Sequence, residues 1–254
     1  MFDAVKERDR IIEWIKDWFE VNGKDCNAVI GISGGKDSTV IAALCKEALG
    51  SNRVIGVRIP NGVQHDIADS VEVCKYLGIK GLEINIEWPY YHIMKQVKEQ
   101  VGDTSAQTEQ NLPPRLRMST LYAVAQSMNG RVANTCNLSE TLVGWETRWG
   151  DAVGDFSPLA DYTATEVIEI GKTLDIPNYL VEKAPSDGLC GKIDEDAFGF
   201  TYKQLDSYIR DGSSGDVEID KSIQNKIDRS AFKRRPIPKC VYVPFLIPES
   251  ISFK

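Results

Sequence analysis

The segment from Ser33 to Ser38 combines the backbone freedom and the side chains that are needed to hold a phosphate chain. Gly34 and Gly35 let the backbone approach an anion closely, so that successive N–H groups can face its charge. The two serines add hydroxyl donors, and Asp37 can hold Mg²⁺. The nucleotide-binding prediction covers Gly31, Ile32, Ser33, Gly34, Gly35, Lys36, Asp37 and Ser38.

The elements around this segment agree with a phosphate loop. An apolar run at 27–32 predicts a buried strand, and 37–49 predicts a helix, so the loop would lie at a helix N-terminus. A Walker A loop is excluded, because it would need glycine in place of Ile30 and Ser or Thr in place of Asp37. The alternative interpretation is a tight strand-to-helix turn in which Asp37 and Ser38 cap the helix.

Strands alternate with helices through the first hundred residues, which indicates βαβ units and a parallel sheet. Further apolar runs predict strands at 53–59, 81–86 and 131–135, and helical spacing predicts helices at 5–19, 65–77, 90–101, 163–174, 202–209 and 217–228. Pro113 and Pro114 are expected to open another helix that continues to Met128. We predict an α/β fold with a doubly wound, mostly parallel sheet flanked by helices, in a single domain over 1–254.

Composition excludes several classes of protein. The 254 residues carry a net charge of −7, which argues against a large nucleic-acid footprint. No apolar run is long enough for a transmembrane helix, and the N-terminus lacks a signal-peptide core. The six cysteines form no C-x-x-C pair, which argues against a zinc or iron–sulfur site. We expect reduced thiols and a cytoplasmic protein.

The sequence SGGKDS resembles the S-G-G-x-D-S/T pyrophosphatase loop of the ATP-pyrophosphatase superfamily. Enzymes of that superfamily cleave ATP between the α and β phosphates and transfer AMP. The loop does not choose among the members, which include NAD, GMP and asparagine synthetases and tRNA-thiolating enzymes. The remainder of the chain has to make that choice.

The segment from Thr135 to Asp155 resembles the NAD synthetase pattern T-x-N-x-S-E-x-x-x-G-x-x-T-K-x-G-D-x-x-x-D. The matching positions are Thr135, Asn137, Ser139, Glu140, Gly144, Thr147, Gly150, Asp151 and Asp155. Three shorter segments also resemble that family: RIPNGVQ at 58–64, RLRM at 115–118 and APSDGL at 184–189. The KRRP run at 233–236 matches the tail of the family.

This resemblance implies an adenine-nucleotide α-hydrolase-like fold and a role for individual residues. ATP contacts are implied for Arg58, Thr135 and Ser186, in addition to the loop. Asp37 and Glu140 would hold Mg²⁺ and act as the catalytic carboxylates. Substrate contacts are implied for Arg115, Arg148, Asp155 and Lys233.

Simpler interpretations of three of these residues remain open. Glu140 on its own is typical of an acid at a helix N-terminus, where it interacts favourably with the helix dipole. Arg58 would suit an exposed Pro-Gly turn. Arg115 would suit a solvated helix start.

The chain departs from the family at three positions. Arg148 stands where many members have Lys, and a planar guanidinium differs in geometry from an ammonium group. Ala164 stands where the family usually has a lysine that contacts ATP, and Lys36 or Lys172 could supply the lost charge. Phe232 stands where the tail often has His, so that stacking could survive and a hydrogen bond could not.

The resemblance implies a ligase that converts deamido-NAD to NAD with ATP, Mg²⁺ and ammonia. Glutamine-dependent members carry an additional amidase domain, for which 254 residues leave no room, so ammonia would be free or delivered by a partner. Family members are homodimers, and we expect the same here, with no nucleic-acid or membrane partner. The alternatives are a tRNA-modifying member of the superfamily and a nucleotide-binding homologue without turnover.

Overall fold

The computed structural model describes residues 2–64, 67–182 and 194–240. Within this part of the chain, four parallel strands form one sheet in the order β3-β2-β1-β4. The strands are β1 (Asn27–Gly31), β2 (Val54–Arg58), β3 (Lys80–Glu83) and β4 (Gly130–Val132). The order reverses beside β1, since β2 lies on one side of it and β4 on the other.

Eleven α-helices belong to the described ranges. They are α1 (Ala4–Asn22), α2 (Lys36–Leu49), α3 (Ile67–Leu77), α4 (Glu87–Val101), α5 (Ala106–Ser127), α6 (Leu138–Val143), α7 (Ala164–Lys172), α8 (Asn178–Val181), α9 (Asp194–Phe198), α10 (Tyr202–Asp211) and α11 (Val217–Arg234). In this part of the chain, no helix is both long enough and apolar enough to cross a membrane.

Both faces of the sheet are buried. Along β1, Ala28 and Ile30 belong to a core cluster that includes residues of α1, α2 and α7, whereas Val29 packs with α5 on the opposite face. A strand that is covered on both faces reads as a continuous apolar run, which explains the composition of 27–32. The predicted α/β fold, with helices on both sides of a parallel sheet, is confirmed.

A third, smaller core cluster lies away from the sheet. It consists of Val143, Ala164, Phe198, Phe200, Tyr202, Leu205 and Ile223. These residues come from α6, α7, α9, α10 and α11, or lie beside them. The cluster therefore packs these helices of the second half of the chain against one another.

The prediction that Pro113 and Pro114 open a helix is wrong. Helix α5 begins at Ala106, and both prolines lie inside it. The Oγ atom of Ser105 accepts the N–H of Thr108 at 3.2 Å and caps the helix, and Pro113 is buried. A cap and tertiary packing thus outweigh the hydrogen bonds that two prolines remove.

Two further differences concern the second half of the chain. Strand β4 ends at Val132, whereas the apolar pattern predicts a strand that continues to residue 135. The short helix α6, at Leu138–Val143, has no counterpart among the predicted elements. Both differences place the Thr135–Asp155 motif on loops and a helix N-terminus, rather than on an extended strand.

Candidate active site

The reversal of strand order beside β1 marks a crevice at the carboxyl ends of the strands. In open parallel sheets, ligands bind in such a crevice, because the loops that leave the two neighbouring strands diverge there. Here the loop after β1 begins at Ile32 and the loop after β4 begins at Ala133. The phosphate-loop residues and the Thr135–Asp155 motif therefore meet at one edge of the sheet.

The loop after β1 is held by its own serines. The Oγ atom of Ser38 accepts the N–H of Ser33 at 3.3 Å and lies 3.2 Å from the carbonyl oxygen of Gly35, to which it donates. Helix α2 has Gly35 as its N-cap, a residue that has no side chain with which to cap the helix. Asp37 and Ser38 lie inside the helix, so the interpretation of them as caps is not supported. An uncapped helix start beside two glycines suits an anion.

Gly34 is required by both its conformation and its surroundings. Its φ of 83° lies in the left-handed region, and a Cβ atom at this position would lie 3.0 Å from the Cβ of Asp69 and 3.1 Å from the backbone nitrogen of Ser70. We expect Gly34→Ala to lower the free energy of unfolding by about 1–3 kcal/mol and to weaken ATP binding more than tenfold. Thermal unfolding and ATP titration check this result, with Gly50→Ala as the control.

Gly50 is a matched control because its φ is also 83° while a Cβ atom at that position would have no neighbour within 4 Å. An alanine at position 50 would have the same backbone strain as an alanine at position 34, without the steric contacts of its Cβ atom. Equal losses of stability and of ATP affinity in the two variants would contradict the assignment of a phosphate loop at Gly34.

Lys36 and Asp37 form an ion pair at the start of α2. The Nζ of Lys36 lies 2.7 Å from Oδ2 of Asp37, and the two side chains are 2% and 17% exposed. The same ammonium group lies 5.5 Å from the centre of the Tyr202 ring, which is a cation–π contact. Lys36 therefore connects the loop to the third core cluster and already faces the carboxylate that is predicted to bind a metal.

Asn137 connects Asp37 to Glu140. Its Nδ2 donates to Oδ1 of Asp37 at 3.0 Å, although 100 residues separate the two in sequence. Asn137 also caps α6: its Oδ1 accepts the N–H of Glu140 at 3.1 Å, while Oε2 of Glu140 accepts the N–H of Asn137 at 3.2 Å. This capping box holds Glu140 next to the residue that touches Asp37.

The two carboxylates fit Mg²⁺ that is bound mainly through a nucleotide. Mg²⁺ commonly takes one or two carboxylates, with phosphate oxygens and water completing its ligands. Across the described ranges, no group of three or more His, Cys, Asp or Glu side chains could hold a metal by itself. Asp37 and Glu140 would therefore supply only part of a metal site, and in the structure Asp37 pairs with Lys36.

Three of the predicted substrate-binding residues come together around the loop from Gly144 to Asp151. The Nε of Arg115 donates to the carbonyl oxygen of Arg148 at 3.4 Å. The Nζ of Lys233 donates to the carbonyl oxygens of Gly144 at 2.7 Å and of Glu146 at 2.6 Å. Burial lowers the pKa of Lys233, and the nearby charge of Arg115 lowers it further. The three cations thus share one small region.

Two acids lie beside this group of cations. Burial raises the pKa of Glu146 and that of Asp151, and the charge of Lys233 opposes both shifts. Oδ1 of Asp151 accepts the N–H of Thr147 at 2.9 Å, which ties the two ends of the turn together. The acids therefore help to keep the loop folded around Lys233.

The turn that carries Arg148 is strained. Gly150 donates its N–H to the carbonyl oxygen of Thr147 at 2.8 Å, and Trp149 between them has a φ of 65°. A non-glycine residue in the left-handed region costs roughly 1–2 kcal/mol. The guanidinium carbon of Arg148 lies 4.9 Å from the centre of the Trp149 ring and 5.9 Å from that of Phe232. The expectation that Phe232 keeps a stacking contact is consistent with this arrangement.

The remaining predicted contacts lie at several places along the crevice edge. The Nε of Arg58 lies 3.3 Å from Oε2 of Glu83, so its side chain leans toward β3. Thr135 is half-buried in the loop after β4. Oδ2 of Asp155 accepts the N–H of Val132 at 2.7 Å, which anchors that carboxylate to the end of β4. Ser186 lies outside the described residues.

The structure separates the two candidates for the charge lost at Ala164. Lys172 lies at the other end of α7, about 12 Å along the helix, and pairs with Glu169 at 3.0 Å and with Glu182 at 3.4 Å. Lys36 reaches Tyr202, which belongs to the same core cluster as Ala164. The structure therefore favours Lys36.

The predicted site residues do not include two residues that contact them in the structure. Asn137 connects the two carboxylates, and the Asn-x-x-Glu spacing of a capping box could have indicated it. Trp149 contacts Arg148 through a strained backbone, and no sequence signal indicates a positive φ at a tryptophan.

Comparison with known proteins agrees with this geometry. The sequence pattern of the family described as NAD synthase matches residues 7–237. The NH(3)-dependent NAD(+) synthetase of Archaeoglobus fulgidus is 37% identical over 246 residues, which cover 93% of this chain and 96% of the relative.

Two solved structures share the fold. The NMN synthetase from Francisella tularensis is 31% identical, with 95% of this chain and 100% of that chain covered and a TM-score of 0.86. The NAD⁺ synthetase from Burkholderia pseudomallei is 26% identical, with 92% and 91% covered and a TM-score of 0.77. The resemblance carried by the two main motifs is thereby confirmed, and this chain belongs to the NAD synthase family.

Proposed function

We propose that this protein is a ligase that amidates deamido-NAD with ammonia, consuming ATP and producing NAD, AMP and pyrophosphate. The observation that carries the proposal is the hydrogen bond between Asn137 and Asp37, because it joins the phosphate loop to the motif that resembles NAD synthetases. Family membership over residues 7–237 supports the same reaction. We propose that residues 1–254 act as one catalytic domain.

In the first half of the proposed reaction, the nicotinate carboxylate attacks the α-phosphorus of ATP, an acyl-adenylate forms and pyrophosphate leaves. Backbone N–H groups of the loop at Ser33–Ser38 and the start of α2 bind the departing phosphates. Asp37 and Glu140 would hold Mg²⁺, which when bound neutralises charge on the phosphate oxygens. Lys36 adds a fixed positive charge, and Arg58, Thr135 and Ser186 are proposed to contact ATP.

In the second half, ammonia attacks the acyl carbon, AMP leaves with the electrons of the acyl–oxygen bond, and the nitrogen releases one proton to solvent to give the neutral amide. The protein's part is to keep the acyl group oriented. We propose that Arg115, Arg148 and Lys233 bind the anionic groups of the substrate, and that Asp155 lies at its nicotinate end. The positive charge of the three cations, grouped around the loop from Gly144 to Asp151, supports this assignment.

A second candidate substrate is nicotinate mononucleotide, the acid that corresponds to NMN. The similarity to the NMN synthetase from Francisella tularensis, which is 31% identical, favours it. Both candidate reactions would amidate the same aromatic carboxylate through an acyl-adenylate. The site described above serves either of them, and the two differ in whether an AMP moiety must be accommodated.

One assay tests both candidates. The purified chain is incubated with ATP, MgCl₂ and NH₄Cl and with either deamido-NAD or nicotinate mononucleotide, and the amide product, AMP and pyrophosphate are quantified. We expect equal amounts of the three products, with the higher kcat/KM for deamido-NAD. A higher kcat/KM for the mononucleotide would select the second candidate, and failure to form AMP with either acid would refute the proposed activity.

We further propose that the protein is a homodimer that associates through α4 and α5. Helix α4 has 15 residues, and Met94 is its single buried one, while Trp88 is 71% exposed and Tyr91 57% exposed. Beside it lies an open apolar hollow of about 520 Å³, lined by residues of β3, α4 and α5 that include Ala123. An exposed apolar surface of this kind is typical of a subunit interface.

The dimer prediction can be tested at Ala123, which is exposed on α5. Static light scattering should give twice the 28.3 kDa chain mass for the wild type and the chain mass itself for Ala123→Arg. An arginine in the hollow would be buried without a partner in the dimer. Val21→Arg, on the exposed end of α1, is the control and should remain a dimer. A dimeric Ala123→Arg variant would exclude the α4–α5 surface.

A further inference from the structure

The Arg148 guanidinium is positioned by aromatic rings more than by hydrogen bonds. Its carbon lies over the Trp149 ring at 4.9 Å and over the Phe232 ring at 5.9 Å, distances at which cation–π attraction operates. One terminal nitrogen donates to the carbonyl oxygen of Arg235 at 3.2 Å. The Nε is buried, and no hydrogen-bond partner for it lies in the described part of the chain. A buried unpaired donor is unfavourable, so the ring contacts have to offset it.

The two rings contribute little to a core. Trp149 is 53% exposed and Phe232 is 55% exposed, and neither belongs to a core cluster formed by the described residues. Trp149 also keeps a φ of 65°, which glycine would adopt without strain. A strained residue whose ring is half in solvent is not explained by its own burial. The strained backbone places the Trp149 ring against Arg148, and this contact accounts for the strain.

The last turn of α11 supplies the second ring and fixes its place. Lys233 donates to the carbonyl oxygens of Gly144 and Glu146, and Arg234 donates to those of Thr141 and Leu142. These bonds join α11 to α6 and to the loop that carries Arg148. Phe232, which directly precedes these two anchors, is thereby held against the guanidinium.

We propose that Trp149 and Phe232 are positioning residues, which hold the Arg148 guanidinium oriented toward the anionic nicotinate substrate. This inference rests on the proposed function. It adds to that function the residues that fix the orientation of the substrate-binding arginine. The two rings fix the orientation of the guanidinium, a task that a network of hydrogen bonds would otherwise perform. Arg115 and Lys233 both donate to carbonyl oxygens of the loop that carries Arg148, while the charges of Glu146 and Asp151 oppose the repulsion between these two cations.

The test is a double-mutant cycle read by calorimetric binding of deamido-NAD without ATP. Trp149→Gly and Phe232→Leu are each made in the wild type and in Arg148→Ala. If the rings act through Arg148, each change weakens binding about 3- to 30-fold in the wild type and less than about 2-fold in Arg148→Ala. The Tm of Trp149→Gly should be unchanged or higher, because glycine removes the backbone strain.

Two variants serve as controls. Trp149→Tyr keeps an aromatic face and should restore most of the affinity, while Trp14→Leu removes an exposed indole from α1 and should change nothing. Equal losses of affinity in the two backgrounds would overturn the proposal, since the rings would then act independently of Arg148. So would a loss of affinity that merely follows a lowered Tm.

Turnover of the same wild-type sample separates this inference from the proposed function. If the wild type binds deamido-NAD with the expected coupling and forms no NAD, the positioning role stands and the proposed reaction fails. If it forms NAD and shows no coupling, the reaction stands and the positioning role fails. Absence of binding to the wild type overturns the inference.

Discussion

Replacing Asp37 with asparagine is expected to slow pyrophosphate release roughly a thousandfold. The carboxylate is the group of the phosphate loop that would hold Mg²⁺, and losing about 4 kcal/mol of charge stabilisation in the transition state corresponds to this factor. Asparagine has nearly the same shape and can still accept the hydrogen bond from Asn137 through its amide oxygen. The rate is followed by coupled detection of pyrophosphate with saturating deamido-NAD and ATP.

This substitution also breaks an ion pair, and stability has to be measured beside the rate. The Lys36 side chain is 2% exposed, and breaking a buried ion pair by removing one of its charges costs up to about 3–5 kcal/mol, which the contact with Tyr202 would partly offset. The double variant Lys36→Met/Asp37→Asn removes both charges and should unfold at a higher temperature than Asp37→Asn alone. Lys36→Met alone gives the contribution of the lysine to the rate.

The metal role of Asp37 has a readout that does not depend on turnover. In the wild type, MgCl₂ should strengthen ATP binding measured by calorimetry, and in the folded double variant that effect should be largely lost. A pyrophosphate rate in Asp37→Asn that equals the wild-type rate would remove Asp37 from the metal site. Unchanged stimulation of ATP binding by MgCl₂ would do the same.

Glu140→Gln is expected to slow the reaction about a hundredfold while the Tm stays within about 2 °C of the wild type. The carboxylate would hold Mg²⁺ together with Asp37, and its neutral analogue binds the ion weakly. In a capping box, glutamine can accept the backbone hydrogen bond at the position three residues after the N-cap, as glutamate does. The hydrogen bond from the N–H of Asn137 should therefore persist. Steady-state kinetics and thermal unfolding of the same sample check the two halves of the prediction.

Glu140→Ala is the matched control for the structural role. It removes the capping interaction as well as the charge, so it should lower the free energy of unfolding by about 1 kcal/mol and the Tm by about 2–4 °C. If Glu140 served only to stabilise the N-terminus of α6, Glu140→Gln would keep the wild-type rate. The structure shows that the capping role is present, and the kinetics decide whether the metal role is present too.

Much of the fold was predictable because its signals are local. The apolar run at 27–32 indicated a buried strand, and the alternation of such runs with helical spacing indicated a parallel sheet. The error at Pro113 and Pro114 also has a local origin. Proline is a common start signal, whereas this helix is started by the Ser105 cap several residues earlier and then held by packing.

The candidate site also has features with local sequence signals and features that depend on tertiary packing. The sequence by itself predicts the phosphate loop, because glycines, serines and an acid between a strand and a helix carry their chemistry in consecutive residues. It also determined family membership, since the motif from Thr135 to Asp155 has a recognisable spacing. These features depend on the order of residues along the chain and need no knowledge of how distant segments pack.

Only the tertiary structure decided which groups act together. Asn137 reaches Asp37 across 100 residues, because the loops after β1 and β4 leave neighbouring strands at the point where the sheet order reverses. Lys36 turns inward to Asp37 and Tyr202, and Arg148 lies close to the rings of Trp149 and Phe232. Side-chain partners of this kind depend on how α10 and α11 pack against the loops that leave the sheet, and no pattern within a short segment encodes them.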